Sequence, residues 1–512
     1  MKKTRKWFRS LFRRRVYVSF LLLLQIVLIA YLVISGSNYG IVNIILTIIS
    51  LLVALHVISK DENSAYKLLW VFLILLFPVL GGVLYLLFKF QSSTKKFAKQ
   101  LSEVDERSKE WFLPSSMKQL GLKEDLNEYL PLMNYLQDFS NFPVYSNSET
   151  FFLPSGEEML KHLLMEIKKA GKYIFLEYFI IQEGLMWNSI LEILQDKVQQ
   201  GVEVRVIYDD IGCFLLLPDN YHHQLQEKGI KCAVFNKFRP FLTNVQNNRD
   251  HRKLAIIDGK VAFTGGINLS DEYINAYERC GHWKDSCIMI KGKAVWSFTL
   301  MFLQMWSICK NDNDCYLDYY PWKHHKCNNQ SDGLIQPYAD SPMDKENIGE
   351  HVYLQIINRA KEYVYISTPY LIIDDNILLS LKLAAKSGID VKIMLPYKWD
   401  KKLVHFTTRS YYRDLIKEGV RIYEYSEGFV HSKFFISDDK IAAIGTTNLD
   451  FRSLYLNFEC GSCIYDATCI KDMKRDFVKT LATCKEITSE DCKVNFFTKV
   501  LQDICRLFAP LM

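Results

Sequence analysis

His251-Arg-Lys253-Leu-Ala-Ile-Ile-Asp258, followed by Gly265-Gly266-Ile-Asn268, returns later in the chain as His431-Ser-Lys433-Phe-Phe-Ile-Ser-Asp438 followed by Gly445-Thr446-Thr-Asn448. His and Asn stand 17 positions apart in both copies. A single H-x-K occurs by chance in many proteins, and a lone His is more often a satisfied structural residue than a reactive one. Two copies that agree at His, Lys, Asp, Gly and Asn are a different observation. On a strand, residues two apart project to one face, so His and Lys point together. Asp258-Gly259 and Asp438-Asp439 sit between apolar runs and read as hairpin turns. Folding back about those turns lays Gly265–Asn268 beside His251 and Lys253, and Gly445–Asn448 beside His431 and Lys433. Glycine there permits close backbone approach.

The surroundings of the two motifs repeat as well. Tyr173–Ile181 (YIFLEYFII) and Tyr363–Ile373 (YVYISTPYLII) are strand-like, and each follows a helix-like stretch ending in Ala-Gly-Lys or Ala-Lys-Glu. Gly201-Val-Glu-Val-Arg-Val-Ile-Tyr matches Gly388-Ile-Asp-Val-Lys-Ile-Met-Leu, and Gly229-Ile-Lys matches Gly419-Val-Arg. The order β–α–β–α–β, twice, predicts an α/β fold of two units, 131–330 and 331–512, with mixed sheets and helices outside. The first unit carries about ten extra residues around Asn236–Asn248, an insertion able to shape the mouth of a site.

Two imidazoles, two ammonium groups and two amides are suited to phosphodiester transfer. Lys253, Lys433, Asn268 and Asn448 can hold phosphate oxygens and stabilise charge. One His can attack phosphorus and form a covalent intermediate. The other can protonate the leaving alcohol and then deprotonate the incoming one. No cluster of carboxylates offers a metal site, so metal-independent chemistry without a cofactor is expected. Asp258 and Asp438 complete the two candidate catalytic sets, although their place in the turns suits them to fixing the hairpins. His222-His223 and His324-His325 read as exposed polar pairs.

The front of the chain is apolar. Val16–Ile34, Gly40–Ile58 and Leu68–Phe88 are each long enough to cross a bilayer as a helix. The first is too long for a usual signal peptide and is followed at once by a second. The third contains Pro78, Gly81 and Gly82, and fits a kinked span or a re-entrant hairpin. Residues 1–15 hold eight Lys and Arg and no acid, while the whole chain carries +6. The remainder therefore sums to −2. The basic tail fits the cytoplasmic side of a membrane and can touch anionic lipid heads. The near-neutral body counts against a nucleic acid partner. Three spans would place the body outside, whereas Lys89, Lys95, Lys96 and Lys99 favour inside, slightly tipping the reading to a cytoplasmic body. Residues 16–90 thus read as a membrane segment and 91–130 as a linker with helical stretches.

All 13 cysteines follow residue 212, and nothing marks a disulfide framework. Cys460 and Cys463 form one CxxC without a second pair at zinc-finger spacing, so free thiols are expected.

The paired motifs resemble the HKD motifs, HxKx4Dx6GGxN and HxKx4Dx6GSxN, of the phospholipase D superfamily, with Thr446 where Ser is usual. Asn247-Asn-Arg-Asp-His-Arg-Lys, Trp283-Lys-Asp285, Thr368-Pro-Tyr and Asp450-Phe-Arg-Ser-Leu-Tyr-Leu-Asn-Phe-Glu459 resemble bacterial cardiolipin synthases, as do the two apolar runs from 40 to 88. The resemblance covers roughly residues 40–512; the run at 16–34 is additional to the family's usual pair of spans. It implies two phospholipase D-like repeats forming one pseudo-twofold catalytic body behind transmembrane helices. It also implies phosphatidyl transfer between two phosphatidylglycerol molecules through a phosphohistidine, with His251 as nucleophile and His431 as acid and base. Asp285 and Glu459, which follow Asn268 and Asn448, are candidates to hold the opposite ring nitrogens; the alternative is ordinary surface carboxylates. Gly265, Gly266, Gly445 and Thr446 are expected around the same groups. Three other readings stand beside this one: a membrane phospholipase D with water as acceptor, a nuclease of the superfamily, and an inactive membrane scaffold.

Overall fold

A computed structural model describes residues 27, 31, 40–77, 81–82, 84–86, 92–112, 124–238, 244–312, 314–323, 331–344 and 346–512. The basic tail, nearly all of the run 16–34, part of the run 68–88, part of the insertion near 236–248, and His324-His325 lie outside the described residues. The chain divides into two compact units, one of residues 1–99, 237–248 and 507–511, the other of residues 100–236, 249–506 and 512.

In the larger unit, the first repeat supplies β1 (Ser148–Leu153), β2 (Tyr173–Tyr178), β3 (Glu203–Asp209), β4 (Lys231–Phe235), β5 (Lys253–Ile257), β6 (Val261–Gly265) and β7 (Cys287–Gly292). They form one sheet in the order β1-β7-β6-β5-β2-β3-β4. β2, β3 and β4 are parallel, and the other four join antiparallel. Every residue of β2, β5 and β6 is buried. That is why these segments are largely apolar without alternation: a sheet covered on both faces has no wet side to make polar.

The second repeat supplies β8 (Leu334–Asp340), β9 (Tyr363–Ser367), β10 (Asp390–Pro396), β11 (Arg421–Tyr425), β12 (Phe434–Ser437), β13 (Ile441–Gly445), β14 (Asn457–Tyr465) and β15 (Cys484–Ile487). Their order, β8-β14-β13-β12-β9-β10-β11-β15, is the first order again with one edge strand added. The repeat read in sequence is therefore a repeat of topology. Gly201, Gly229, Gly388 and Gly419, at the helix-to-strand turns, have φ of +84°, +77°, +90° and +97°. This left-handed stop is nearly free for glycine alone.

The two repeats interlock. Helix Val295–Lys310 follows the first sheet but also touches β8 of the second, and helix Thr468–Leu481 follows the second sheet but touches β1 of the first. Two short parallel ladders complete the exchange: Arg249–Asp250 pairs with Asn457–Phe458 of β14, and His282–Lys284 pairs with Gly428–Val430. Each ladder holds the residues just before one motif histidine against the other repeat.

The polar stretch 91–130 contains helix Ser92–Lys109 and the 3-10 turn Glu124–Tyr129. In the smaller unit, helices Gly40–Ile58 and Ser64–Leu76 pack together, with Val53, Ala54 and Val57 against Ile74 and Tyr85. Ile44, Ile48, Leu51, Leu52, Leu55, Leu68 and Leu75 are exposed on their outer faces. The described side chains of the first helix begin at Ile44, and the second helix has 13 residues. Among the described residues, no helix is long and apolar enough to cross a membrane.

Candidate active site

Each motif histidine stands just before a buried strand that turns back sharply. Asp258 and Gly259 have φ of +53° and +63°, and Lys260 N donates to Ile257 O across the turn. Asp438 and Asp439 have φ of +55° and +56°, with Lys440 N donating to Ser437 O. Two consecutive left-handed residues give the turn whose twist suits a hairpin. The aspartates are also pinned from outside. Asp258 accepts from the backbone N–H groups of Gly171, Lys172 and Tyr173 at 2.8–2.9 Å, where β2 begins. Asp438 accepts from Lys361, Glu362 and Tyr363 at 2.8–3.0 Å, where β9 begins. Both lie at the far end of their strand, about 16 Å of extended chain from the motif lysines and about 23 Å from the motif histidines. The structure does not bring these two carboxylates to the histidines.

At the near end the two repeats exchange groups. His251 N donates to Phe458 O at 2.9 Å, and His431 N donates to Lys284 O at 2.7 Å. His251 Nδ1 lies 2.9 and 3.0 Å from the two oxygens of Glu459. His431 Nδ1 lies 2.6 Å from Asp285 Oδ2. Each imidazole is thus held by a carboxylate of the other repeat, and both carboxylates are fully buried. An ionised carboxylate on Nδ1 fixes the tautomer with the proton there and leaves Nε2 as the reacting nitrogen. Lys253 Nζ donates to His251 O at 2.6 Å, and Lys433 Nζ donates to His431 O while also standing 2.9 Å from His431 Nδ1. Lys253 and Lys433 each act electrostatically on the histidine of the opposite motif. The two motifs therefore form one site.

Electrostatics follow from burial. Removal from water lowers the His251 pKa to about 4, with Lys253 and Lys433 adding to the shift against the pull of Glu459. Burial, then the Lys433 charge, lowers His431 to about 4 as well. Burial brings Lys253 down to about 8 and Lys433 to about 7. Burial opposes ionisation of Asp285 and Glu459, but the neighbouring His and Lys groups outweigh it and hold both below the usual carboxylate range. At neutral pH the imidazoles are neutral and their carboxylates charged.

The residues after the hairpins fill supporting places. A Cβ on Gly266 would stand 2.1 Å from Asp285 Oδ1 and 2.8 Å from His431 O, so only glycine leaves room for the Asp285–His431 pair. Gly265 and Gly445 press equally closely on the backbone of Ser286 and Cys460. Thr446 Oγ1 donates to Glu459 Oε2 at 2.5 Å, so the Thr that replaces the usual Ser keeps a hydroxyl on the carboxylate. Asn268 Oδ1 accepts from Ile180 N at 3.1 Å and its Nδ2 donates to Tyr273 OH at 2.7 Å. Asn448 Oδ1 is buried and has no hydrogen-bond partner among the described residues.

Several groups here lie outside the paired His-Lys-Asp-Gly-Asn pattern. Phe179 stands edge-on to His251, with ring centres 5.1 Å apart. Tyr273, Trp283 and Phe429 surround His431 at 5.4, 5.3 and 6.0 Å. Arg249 pairs with Asp209, Nη2 to Oδ1 2.8 Å, both buried, and Asp250 N donates to the same carboxylate, anchoring the backbone that leads into His251. Only the matching of β3 against the pre-motif segment reveals that pair. Cys460 and Cys463 lie three apart on β14 and so face opposite sides of the sheet. All cysteines among the described residues are free thiols, and among those residues no group of three or more His, Cys, Asp or Glu is placed to hold a metal ion.

Known proteins resemble this chain over nearly its whole length. The model of the "Cardiolipin synthase, PLD-like domain" family matches twice, at 163–306 and 353–481, and that of the "Phospholipase D-nuclease N-terminal" family matches 45–89. A cardiolipin synthase of Alkalihalophilus pseudofirmus is 32% identical over 98% of this chain and 99% of its own. An uncharacterized protein of Streptococcus mutans is 42% identical over 90% of this chain and 99% of its own. The crystal structure of a phosphatidylserine synthase from Haemophilus influenzae superposes with a TM-score of 0.55 at 16% identity, over 73% of this chain and 96% of that one, a likeness of fold. With two matching domains and full-length relatives, the chain belongs to the cardiolipin synthase family of phospholipase D-like proteins.

Proposed function

We propose that this chain is a phosphatidyltransferase that joins two phosphatidylglycerol molecules into cardiolipin and releases glycerol, without a cofactor. The observation that carries this reading is the reciprocal hold on two buried imidazoles, Glu459 on His251 and Asp285 on His431. With both Nδ1 protons fixed, Nε2 of each ring faces the reaction, which suits the neutral ring as nucleophile and the ring that takes a second proton as proton carrier. His251 Nε2 attacks phosphorus, the bond to glycerol breaks, and His431, which enters the step as an imidazolium with a second proton on Nε2, gives that proton to the leaving oxygen. The hydroxyl of a second phosphatidylglycerol then loses its proton to His431 and attacks the phosphohistidine, and the P–N bond breaks. His431 ends as it began. Its pKa near 4 belongs to the empty site; an anionic phosphodiester beside the ring favours the imidazolium and raises it. Lys253 and Lys433, with the amides of Asn268 and Asn448, hold the phosphate oxygens and offset the charge that develops on them. Asp258 and Asp438 serve the same reaction from a distance by fixing the hairpins.

The reading assigns 131–330 and 331–512 as the two repeats, 16–90 as a membrane segment with spans at 16–34, 40–58 and 68–88, and the site to lipid at the cell membrane. The family match at 45–89 and the exposed apolar faces of helices Gly40–Ile58 and Ser64–Leu76 support that placement. Incubating the full chain with phosphatidylglycerol tests the function: cardiolipin and free glycerol are expected in equal amounts. Phosphatidic acid without cardiolipin would make water the acceptor and end the synthase reading.

A further inference from the structure

β3 and β10 occupy the same position in the two sheets, so the loops that leave their C-terminal ends are counterparts. Both loops carry side chains that the reaction does not use. After β3 the chain runs Asp210-Ile-Gly-Cys-Phe-Leu-Leu-Leu217, with Ile211 39% and Leu215 68% exposed. After β10 it runs Tyr397-Lys-Trp-Asp-Lys-Lys-Leu403, with Tyr397 53%, Trp399 50% and Leu403 56% exposed. Lys398, Lys401 and Lys402 are exposed among them.

Both loops border the site. Cys213 Sγ lies 3.6 Å from Phe179 O, and the Phe179 ring stands against His251. On the other side Tyr370 OH donates to Asp400 Oδ2 at 2.6 Å, and Lys401 Nζ lies 5.4 Å over the Tyr370 ring. Tyr370 in turn stands 6.5 Å from Phe429, which flanks His431. Each loop is thus one or two rings from a motif histidine.

Leaving Trp, Tyr and Leu in water forfeits the gain from burying them. Trp and Tyr beside Lys is the composition that suits the boundary of a bilayer, where rings sit at headgroup level and ammonium groups meet anionic heads. The only acid in Tyr397–Leu403 is Asp400, which Tyr370 holds, so the three lysines of the segment outnumber its one carboxylate and leave a positive excess. We propose that these two loops are the surface by which the catalytic body rests on a bilayer rich in phosphatidylglycerol. Ile211 and Leu215 enter the apolar boundary on one side, and Tyr397, Trp399 and Leu403 do so on the other. Lys398 and Lys402 gather anionic headgroups next to the site. The inference deepens the lipid-transfer reading and rests on it.

The test uses the full chain in nanodiscs of phosphatidylglycerol and phosphatidylcholine in varied proportion, beside a variant carrying Lys398→Gln, Trp399→Ser, Lys402→Gln and Leu403→Ser. The surface concentration of phosphatidylglycerol needed for half-maximal rate rises about tenfold or more in the variant, as expected for two lysines and two apolar side chains removed from an anionic surface. Turnover of short-chain, monomeric phosphatidylglycerol is unchanged. An unchanged requirement in nanodiscs overturns the proposal, and so does an equal loss on both substrates, which would make these residues supports of the site. A second readout needs no chemistry. Brominated phosphatidylglycerol in the nanodisc quenches more emission from the wild type than from Trp399→Phe; equal fractional quenching of the two overturns the docking surface. A wild type that quenches in this way but forms no cardiolipin retains the docking and removes the function proposed above.

Discussion

Asp285 Oδ2 lies 2.6 Å from His431 Nδ1, although 146 positions of chain separate the two residues and they belong to different repeats. Glu459 makes the mirror contact with His251, across 208 positions. Neither repeat can therefore orient its own histidine. The duplication supplies two chemical groups and also the means of aiming each of them. Asp285→Ala and Glu459→Ala should each lower kcat by about 10²–10⁴-fold, because the imidazole loses both its orientation and its tautomer. Asp285→Asn, which keeps the shape but can present an N–H to Nδ1, should be nearly as damaging. Steady-state kinetics with labelled phosphatidylglycerol, alongside melting curves that exclude unfolding, check this. Retention of near wild-type kcat in either alanine variant would sink the reciprocal-hold argument.

Much of this was written locally. His251 and Lys253 share a face because strands alternate, the Asp258-Gly259 and Asp438-Asp439 turns follow from residues that tolerate positive φ, and β5 and β12 show as apolar runs because they are covered on both sides. The doubling of topology was legible because the glycine stops recur. What stayed hidden depends on contacts between repeats. Nothing near Asp285 says that it serves His431 rather than His251; the parallel ladder of His282–Lys284 with Gly428–Val430 decides it. Phe179, Tyr273 and Phe429 look like ordinary core aromatics until the fold sets them around the rings. Thr446 looks like a small departure from a motif, and its hydroxyl acquires meaning only once Glu459 arrives beside it.

The buried lysines set the alkaline side of the pH profile. Lys433 and Lys253 are lowered by burial to about 7 and about 8, so in the empty site they lose their protons as pH rises through that range. Phosphate binding needs the charged forms, hence kcat/KM for phosphatidylglycerol should fall as pH rises above about 7. Below about 4 it should fall again as His251, the proposed nucleophile, takes up a proton. Lys433→Arg keeps its charge at every accessible pH, and should move the alkaline fall upward even if its rate is lower. A profile of kcat/KM from pH 4 to 9.5 decides this; identical alkaline limbs for wild type and Lys433→Arg would remove Lys433 from phosphate binding.

The same histidines bear on stability, with a definite sign. Their folded pKa values lie below the ordinary 6.5, so the unfolded chain binds more protons between pH 6.5 and about 4. Stability must then fall as pH drops through that window. A variant with both His251→Gln and His431→Gln should lose less of its melting temperature between pH 7 and pH 4.5 than the wild type does. Parallel melting curves across that range would show that other groups govern the acid loss.

Asp258 and Asp438 answer a different question, whether a motif residue acts on substrate or on the frame. Each accepts three backbone N–H groups that begin a neighbouring strand. Removing such an acceptor leaves the strand start unpaired. Asp258→Ala and Asp438→Ala should each cost about 2–4 kcal/mol, the sum of several partly exposed bonds to a charged acceptor. The pH profile of whatever remains folded should match the wild type. Denaturant titration measures the first expectation and kinetics at reduced temperature the second. A stable but inactive Asp258→Ala would place the carboxylate in the chemistry instead.

Gly266 and Thr446 occupy the same position in the two motifs and do opposite things. At Gly266 there is no room: a Cβ would meet Asp285 Oδ1 at 2.1 Å. At Thr446 there is a task, since its hydroxyl donates to Glu459 Oε2 and accepts from Cys460 N at 3.0 Å. Thr446→Ser keeps the hydroxyl and should stay within about threefold of wild type, whereas Thr446→Ala leaves a buried carboxylate short of a donor and should lose about tenfold or more in kcat. Gly266→Ala must push Asp285 off His431, so its loss should approach that of Asp285→Ala, and the two changes combined should cost little more than either alone. If the double variant instead shows the full product of the two losses, Gly266 acts through some group other than Asp285.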